Sequence, residues 1–106
     1  MNPQTITHHG IIFDRKALEE FCRKNGIKKL SLFGSVLTDN FGPDSDIDML
    51  IEFMPGETVT FISLSRMERN LSAFFDGRKV DLRTLQELSR YFRDRVETEA
   101  ETLYVR

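Results

Sequence analysis

The sequence lacks the features that would place the protein in a membrane or in an oxidising compartment. No apolar run in its 106 residues approaches the roughly 20 residues that span a bilayer. The single cysteine, Cys22, cannot form an internal disulfide, and its amphipathic helical surroundings predict a buried, inert thiol. The stretch before Phe13 also lacks the charged start and continuous apolar core of a signal peptide. These absences predict a cytoplasmic protein with no membrane partner.

The sequence also lacks an excess of either charge. It has 15 lysines and arginines against 17 aspartates and glutamates, a formal net charge of -2. A charge so balanced does not give the basic footprint of a nucleic-acid binder, so nucleic acid is not expected as a direct partner. His8 and His9 are adjacent and point in opposite directions in extended chain. We interpret them as solvated side chains, because a zinc site usually takes three or four protein ligands.

The length and composition predict one domain, residues 1–106, with one hydrophobic core. A chain of this size with 40% hydrophobic residues is too short for two independent cores. It contains no internal repeat, low-complexity tract or linker. Helical and strand patterns alternate, which predicts the α/β (α+β) class with a small sheet flanked by helices.

Two segments have clear helix signals. Asp14 can cap a helix that runs to about Asn25 and stops at Gly26, with Phe13 and Leu18 as a hydrophobic staple. Thr60 can cap a second helix that ends at Gly77, with Val59 and Leu64 as its staple. The apolar stripe of this second helix has helical spacing and is interpreted as core: Phe61, Leu64, Met67, Leu71 and Phe74.

Three segments have strand signals, and the chain end has a helix signal. The predicted strands cover residues 29–34, 46–53 and about 79–83. After the third strand, Thr84 and Glu87 match a capping box. An apolar stripe then continues to Leu103, which predicts that the last segment is helical, with a kink near Ser89.

Two carboxylates lie at the start of the second strand. Asp46 and Asp48 are two residues apart and therefore project from the same face of a strand, while Ile47, Met49 and Ile51 face the core. Like charges held this close repel each other, so the pair must either share a proton or bind a cation. Mg²⁺ or Mn²⁺ is the simplest answer, because both prefer carboxylate oxygens and keep phosphates as further ligands.

A third carboxylate, Asp81, lies in the third strand. If that strand pairs beside the second with Asp81 on the same side, three carboxylates converge with Asp46 and Asp48. Such a site can hold two metal ions that bridge a transferring phosphoryl group. Asp81 is then placed to ligate one metal and to accept a proton from an attacking hydroxyl.

A glycine and a serine follow the first strand. Gly34 allows the backbone to approach a phosphate closely, and the Ser35 hydroxyl and nearby backbone N–H groups can donate hydrogen bonds to it. The dipeptide alone is a weak signal. It becomes fairly specific when Asp46, Asp48 and Asp81 follow on two strands.

A plainer interpretation also exists for the first two carboxylates. Asp46 and Asp48 follow a turn, where aspartates are common, and can be the solvated start of a strand. Asp39 and Asp44 are interpreted as turn formers of this kind. Asp81 has no such explanation, because it is flanked by apolar residues in mid-strand. Tyr91 and Tyr104 are interpreted as packing residues of an amphipathic helix.

The order of these motifs resembles a known family. LFGSVLTDNFGPDSDIDMLIEF followed by RKVDLRT is similar to the minimal nucleotidyltransferases of the DNA polymerase β superfamily, and short stand-alone members resemble the antitoxin of HEPN/MNT toxin–antitoxin pairs. The resemblance implies a polymerase-β-like fold with a mixed sheet. It also implies Mg²⁺-dependent transfer of AMP from ATP to a tyrosine of a HEPN ribonuclease toxin, which is thereby neutralised.

The same resemblance implies roles for five residues. Gly34 and Ser35 hold the triphosphate of the nucleotide. Asp46, Asp48 and Asp81 are the catalytic residues and bind the metal, with two Mg²⁺ ions expected and ATP as the substrate.

The turn after Gly34 and Ser35 departs from the family. The family often has Gly-Ser-Arg-x-Arg-Gly there, whereas this chain continues Val36-Leu37-Thr38-Asp39. Two positive charges near the phosphates are therefore missing. Each lost charge-assisted contact costs about 1.5 to 3 kcal/mol, unless Arg78, Lys79 or Arg83 compensates.

The missing arginines leave other functions open. The chain can be an inactive or weakly active antitoxin that neutralises its toxin by binding alone. It can also be a nucleotidyltransferase that acts on a small molecule or an RNA, although little chain is left for an acceptor-binding domain. A surface for docking on a protein acceptor can come from exposed members of Phe74–Phe75 or Tyr91–Phe92.

Overall fold

The computed structural model describes residues 4–6, 11–38, 41–42 and 44–106. The expectations for His8, His9 and Asp39 lie outside these residues. Three helices and six strands are present in the described part of the chain, in this order: β1 Gln4–Ile6, β2 Ile12–Asp14, α1 Arg15–Lys24, β3 Ile27–Phe33, β4 Ile47–Phe53, α2 Phe61–Ser72, β5 Val80–Arg83, α3 Arg90–Glu99 and β6 Glu101–Val105.

A mixed four-stranded sheet organises the described residues. Its strand order is β5-β4-β3-β6, with β1 and β2 forming a separate antiparallel pair. β4 pairs with β5 in parallel, whereas β3 is antiparallel to both β4 and β6. The prediction of a small mixed sheet flanked by helices is confirmed.

The first helix forms as its capping signals predict. The Asp14 carboxylate accepts a hydrogen bond from the backbone N–H of Ala17 at 3.1 Å. Gly26 follows the end of α1 with a φ of +67°, a conformation that glycine adopts without a side-chain clash. Leu18 and Cys22 are fully buried on the inner face of this helix. Cys22 is buried as predicted, and burial raises the pKa of its thiol to about 12, which disfavours the reactive thiolate.

The second helix also begins as predicted but ends earlier. Thr60 caps α2 and forms a capping box with Ser63, in which each side chain accepts a hydrogen bond from the backbone N–H of the other residue. The helix stops at Ser72, and a 3₁₀ turn and a left-handed Asp76 follow before Gly77. Phe61 is 84% exposed, so its assignment to the core stripe was wrong. It is the first residue of the helix, directly after the Thr60 cap.

The core lies on one face of the sheet, under α1 and α2. β4 contributes Ile47, Met49 and Ile51, all buried as the alternating pattern predicts. The opposite face of β4 carries Asp48 and Leu50. A smaller cluster covers that second face, in which Leu50 packs with Phe33 and with Val96 of α3.

The prediction of a helical C-terminus was wrong for residues 101–105. These residues form β6, which pairs with β3 and completes the sheet. Leu103 and Tyr104 are buried. Pairing with β3 and contacts in the core stabilise a strand here more than the weak helical pattern stabilises a helix. The kink expected near Ser89 is a complete break, because Thr84 and Glu87 start only a 3₁₀ turn and Ser89 caps α3 anew. Tyr91 is 91% exposed and is not a packing residue.

Within the described residues, no helix is both long enough and apolar enough to cross a membrane.

Candidate active site

Asp48 and Asp81 are direct neighbours across two strands. The parallel register of β4 and β5 places Asp48 opposite Asp81, flanked by the pairs Ile47–Val80 and Met49–Leu82. Residues opposite each other in a sheet project from the same face. The two carboxylates therefore share the face of the sheet that is opposite the main core.

The Asp48 carboxyl lies in a strongly acidic environment. Burial raises its pKa above the ordinary value, and the negative charges of Asp81 and then Asp46 raise it further. Arg83 and the backbone N–H of Ser35 act in the opposite direction. Because burial and the neighbouring negative charges together outweigh this compensation, a cation placed among these carboxylates would lower the electrostatic free energy of the site.

Gly34 lies against the Asp48 carboxylate. Its φ is +78°, and a Cβ at this position would lie 2.5 Å from Asp48 Oδ2. Only glycine combines this conformation with this approach. The residues from Gly34 to Leu37 form a 3₁₀ turn, not a longer helix, and its end is held by a hydrogen bond from Thr38 N–H to the Ser35 carbonyl at 2.9 Å. The turn thus brings Ser35 to the acidic face.

Asp46 precedes β4 and has a cation beside it. Lys79 Nζ lies 3.7 Å from Asp46 Oδ2, and both side chains are largely exposed. Asp46 is close enough to Asp48 to influence its pKa. Among the described residues, however, no group of three His, Cys, Asp or Glu side chains is already arranged to hold a metal ion. The convergence of all three carboxylates on one ion therefore stays a prediction.

Arg78 stabilises the loop before Asp46. Its guanidinium donates hydrogen bonds to the backbone oxygens of Gly42 and Ser45, the second at 3.0 Å. It also stacks on the ring of Phe41, 4.2 Å from the ring centroid. Arg78 is thus engaged in positioning the segment that leads into β4.

Arg83 lies on the carboxylate face. Its guanidinium donates to Asp81 Oδ2 at 3.1 Å and lies 3.5 Å from Glu87 Oε2. The charge of Asp81 raises the pKa of Arg83. Arg83 therefore shares the face of Asp81, and Asp81 is ion-paired.

Glu68 is a supporting residue that the sequence pattern did not indicate. Its carboxylate accepts a hydrogen bond from the backbone N–H of Leu82 at 2.8 Å. β5 is an edge strand of the four-stranded sheet, so this N–H has no acceptor on a neighbouring strand. The Glu68 carboxylate of α2 takes the place of that acceptor. No local signal could identify this contact, since the two residues are 14 positions apart.

The comparison with known proteins decides the family. Residues 14–105 match the family described as the nucleotidyltransferase domain. The chain belongs to the nucleotidyltransferase family. A Methanocaldococcus jannaschii protein named "Putative protein adenylyltransferase" is 35% identical over 77 residues, which are 73% of this chain and 80% of that protein. Nucleotidyl transfer is therefore the enzymatic class of this chain, and its resemblance to the nucleotidyltransferases is confirmed.

Solved structures share the fold of this nucleotidyltransferase. A structure described as "putative minimal nucleotidyltransferase" is 30% identical with a TM-score of 0.65, covering 81% of this chain and 85% of that one. A toxin–antitoxin structure with AMP-PNP has a TM-score of 0.67 at 23% identity, covering 88% and 74%. A Shewanella oneidensis complex of a tri-AMPylated HEPN toxin with its MNT antitoxin has a TM-score of 0.60 at 22% identity, covering 87% and 70%.

Proposed function

We propose that this nucleotidyltransferase is an antitoxin that transfers AMP from ATP to a tyrosine of a HEPN ribonuclease toxin. The observation that carries the proposal is the pairing of Asp48 with Asp81 on one sheet face, next to the turn that begins at Gly34. The family match places nucleotidyl transfer in the same chain. The similar proteins that are named an adenylyltransferase or solved with an AMPylated toxin favour a protein acceptor.

The donor atoms of the site fit Mg²⁺. Asp46, Asp48 and Asp81 offer only carboxylate oxygens, which Mg²⁺ prefers, and their mutual repulsion is relieved by a cation. A cage of three ready ligands is not required, because Mg²⁺ is usually held by one or two carboxylates together with substrate phosphates and water. When bound, two such ions would neutralise the charge of the triphosphate and polarise its α-phosphate.

The remaining parts of the transfer are assigned to this chain's own groups. Gly34 and Ser35 bind the triphosphate through backbone N–H groups and the Ser35 hydroxyl. The tyrosine oxygen of the acceptor attacks the α-phosphorus of ATP and forms a new P–O bond. The bond from this phosphorus to the bridging oxygen breaks, and pyrophosphate leaves with the electron pair. Asp81 accepts the proton of the tyrosine hydroxyl.

A direct test uses the purified chain with a HEPN toxin encoded beside it. In the presence of ATP and Mg²⁺, intact-mass spectrometry should show the toxin heavier by one or more AMP groups, and peptide mapping should locate them on tyrosine. Asp48→Ala and Asp81→Ala should abolish the mass increase while far-UV circular dichroism stays unchanged. An unmodified toxin in the presence of folded, wild-type chain would contradict the proposal.

A second candidate function is neutralisation of the toxin by binding alone. It is favoured by the turn after Gly34, where the buried Val36 and the uncharged Thr38 stand at the two positions at which the family often has arginine. Asp48→Asn would then still protect cells from the toxin and still co-purify with it. Loss of protection with retained binding would exclude this function and support catalysis.

A further inference from the structure

The turn that should hold the triphosphate has no positive side chain of its own. Positions 36–39 are Val, Leu, Thr and Asp. Family members often carry two arginines there, and four phosphate charges cannot be balanced by backbone N–H groups alone. Three cations lie close to the carboxylates in sequence, Arg78, Lys79 and Arg83, and the structure distinguishes between them.

Arg78 and Lys79 are poorly placed for this task. Arg78 is engaged by two backbone carbonyls and by the Phe41 ring, so moving it would release the loop before β4. Lys79 lies 3.7 Å from Asp46, and its side chain borders a cavity lined by Ser72 and Arg69 of the α2 region. A lysine also offers a single point charge, whereas an arginine offers a planar set of donors that can bind two phosphate oxygens together.

Arg83 combines position, charge and freedom to move. It lies two residues after Asp81 on β5 and opposite Leu50 of β4, so it projects from the carboxylate face. Its side chain is 47% exposed, and within the described residues its ion pairs are with the carboxylates of Asp81 and Glu87. Surface ion pairs of this type are weak and exchange readily.

We propose that Arg83 is the phosphate-binding residue of this nucleotidyltransferase and replaces the arginines missing from the turn. This inference rests on the proposed function and deepens it. Before nucleotide arrives, Asp81 and Glu87 hold the guanidinium. A metal ion bound by Asp81 Oδ2 would release Arg83, whose charge-assisted hydrogen bonds would then go to the triphosphate. Arg83 is thus a competitor of the metal in the free enzyme and a partner of the nucleotide in the complex.

Glu87 offers a clean way to change this balance. One of its carboxylate oxygens accepts from the Thr84 N–H at 3.2 Å and the Thr84 hydroxyl at 3.1 Å, while the other faces Arg83. Glu87→Gln keeps an amide oxygen for Thr84, because glutamine also serves in a capping box. It removes the negative charge that holds Arg83.

The test measures two affinities separately in four variants. Binding of Mn²⁺ alone is followed by electron paramagnetic resonance, and binding of a non-hydrolysable ATP analogue with Mg²⁺ by calorimetry. Arg83→Gln should weaken nucleotide binding about 10- to 100-fold yet tighten Mn²⁺ binding, because a competing cation is gone. Arg83→Lys should fall between it and wild type, and Glu87→Gln should tighten nucleotide binding. Arg95→Gln, which breaks an exposed pair with Glu99, is the matched control and should change neither.

The expected changes in nucleotide affinity and Mn²⁺ affinity have opposite signs in Arg83→Gln, and this distinguishes the proposal from a structural role of Arg83. If Arg83 only stabilised the end of β5, Arg83→Gln would lower the unfolding midpoint and weaken both ligands together. Equal nucleotide affinity in wild type and Arg83→Gln would overturn the role of Arg83 and leave the proposed function standing. Failure of the wild-type chain itself to bind the nucleotide would overturn both.

Discussion

Single residues at this site work against the stability of the fold. Asp48 is a half-buried carboxylate next to two others, and Gly34 leaves no room between the turn and that carboxylate. A side chain chosen for stability alone would be uncharged at the first position. Residues that reduce stability in this way are typical of sites that bind a charged ligand.

Gly34→Ala should reduce both stability and transfer activity. The φ of +78° costs a non-glycine residue about 1 to 3 kcal/mol, and the new Cβ displaces the Asp48 carboxylate. Gly77→Ala is the matched control, because Gly77 has the same φ of +78° but open space around its Cβ position. Urea denaturation should show a loss for both variants, whereas only Gly34→Ala should lose AMP transfer. Equal activities would mean that the contact with Asp48 is dispensable.

Asp48→Asn should make the protein more stable at neutral pH while abolishing activity. The folded-state pKa of Asp48 is raised, so the native state binds more protons than the unfolded state in the window above the ordinary aspartate value of 3.8. The free energy of unfolding therefore falls as pH rises through that window. Asparagine does not titrate and should remove this fall in the free energy of unfolding. The gain in that free energy at neutral pH should be below about 1 kcal/mol, because the site is partly solvated.

The measurement for Asp48→Asn is the urea unfolding midpoint from pH 4 upward, at low salt and without divalent metal. Asp44→Asn is a suitable control, because that exposed residue lies in the preceding turn. A variant that is less stable than wild type at neutral pH would show that the carboxylate makes favourable contacts in the metal-free protein.

At the scale of elements, the site depends on how β5 is held in the sheet. β5 has only four residues and lies at the edge of the sheet, yet it carries Asp81 and Arg83. β4 pairs with one side of it, and Glu68 of α2 binds the other side at the Leu82 N–H. The second helix therefore positions residues of the candidate site without contributing a proposed catalytic group.

Glu68→Leu should destabilise the protein by about 1 to 3 kcal/mol, because it leaves the buried Leu82 N–H without an acceptor. Glu68→Gln keeps an acceptor oxygen and should stay close to wild type. The comparison is made by chemical denaturation, with amide hydrogen exchange at Leu82 as a local measure. If both variants unfold at the same urea concentration, the hydrogen bond contributes little and β5 is held by its pairing with β4 alone.

At the scale of the whole molecule, the sheet divides two tasks between its faces. One face is covered by α1 and α2 and contains the main core, and the other carries the carboxylates beside a small cluster under α3. β6, the last strand, closes the sheet on the side away from β5. Burying one face provides the stability that allows the other to keep repelling charges.

Mg²⁺ with a non-hydrolysable ATP analogue should raise the thermal midpoint of the entire chain, in a single transition if residues 1–106 form one domain. At a ligand concentration of 100 times Kd the gain is about 2.7 kcal/mol, on the order of 10 °C for a domain of this size. Asp48→Ala should show no such shift, and GTP in place of the ATP analogue would report nucleotide preference. Two separate transitions, of which only one moves, would contradict the single domain.

The local signals in the sequence determined much of this protein. Asp14 and Thr60 cap their helices, Gly26 ends the first one, and the alternation along Asp46–Phe53 separates core from site, because these features depend only on neighbours in the chain. The order of Gly34, Ser35, Asp46, Asp48 and Asp81 along the chain also pointed to the family, because such a motif can be recognised in the sequence itself. Their detailed roles stay predictions.

Contacts between distant residues were decided by the tertiary structure alone. The residues of β6 continue a helical pattern in the sequence but pair with β3 in the structure. Pairing with a buried strand stabilises them more than their weak local helix preference does. Whether Arg78 or Arg83 was available to a phosphate could not be read from spacing, because Arg78 is held by carbonyls 33 and 36 positions away. The hydrogen bond from the Leu82 N–H to the Glu68 carboxylate likewise exists only once α2 lies along the edge of the sheet.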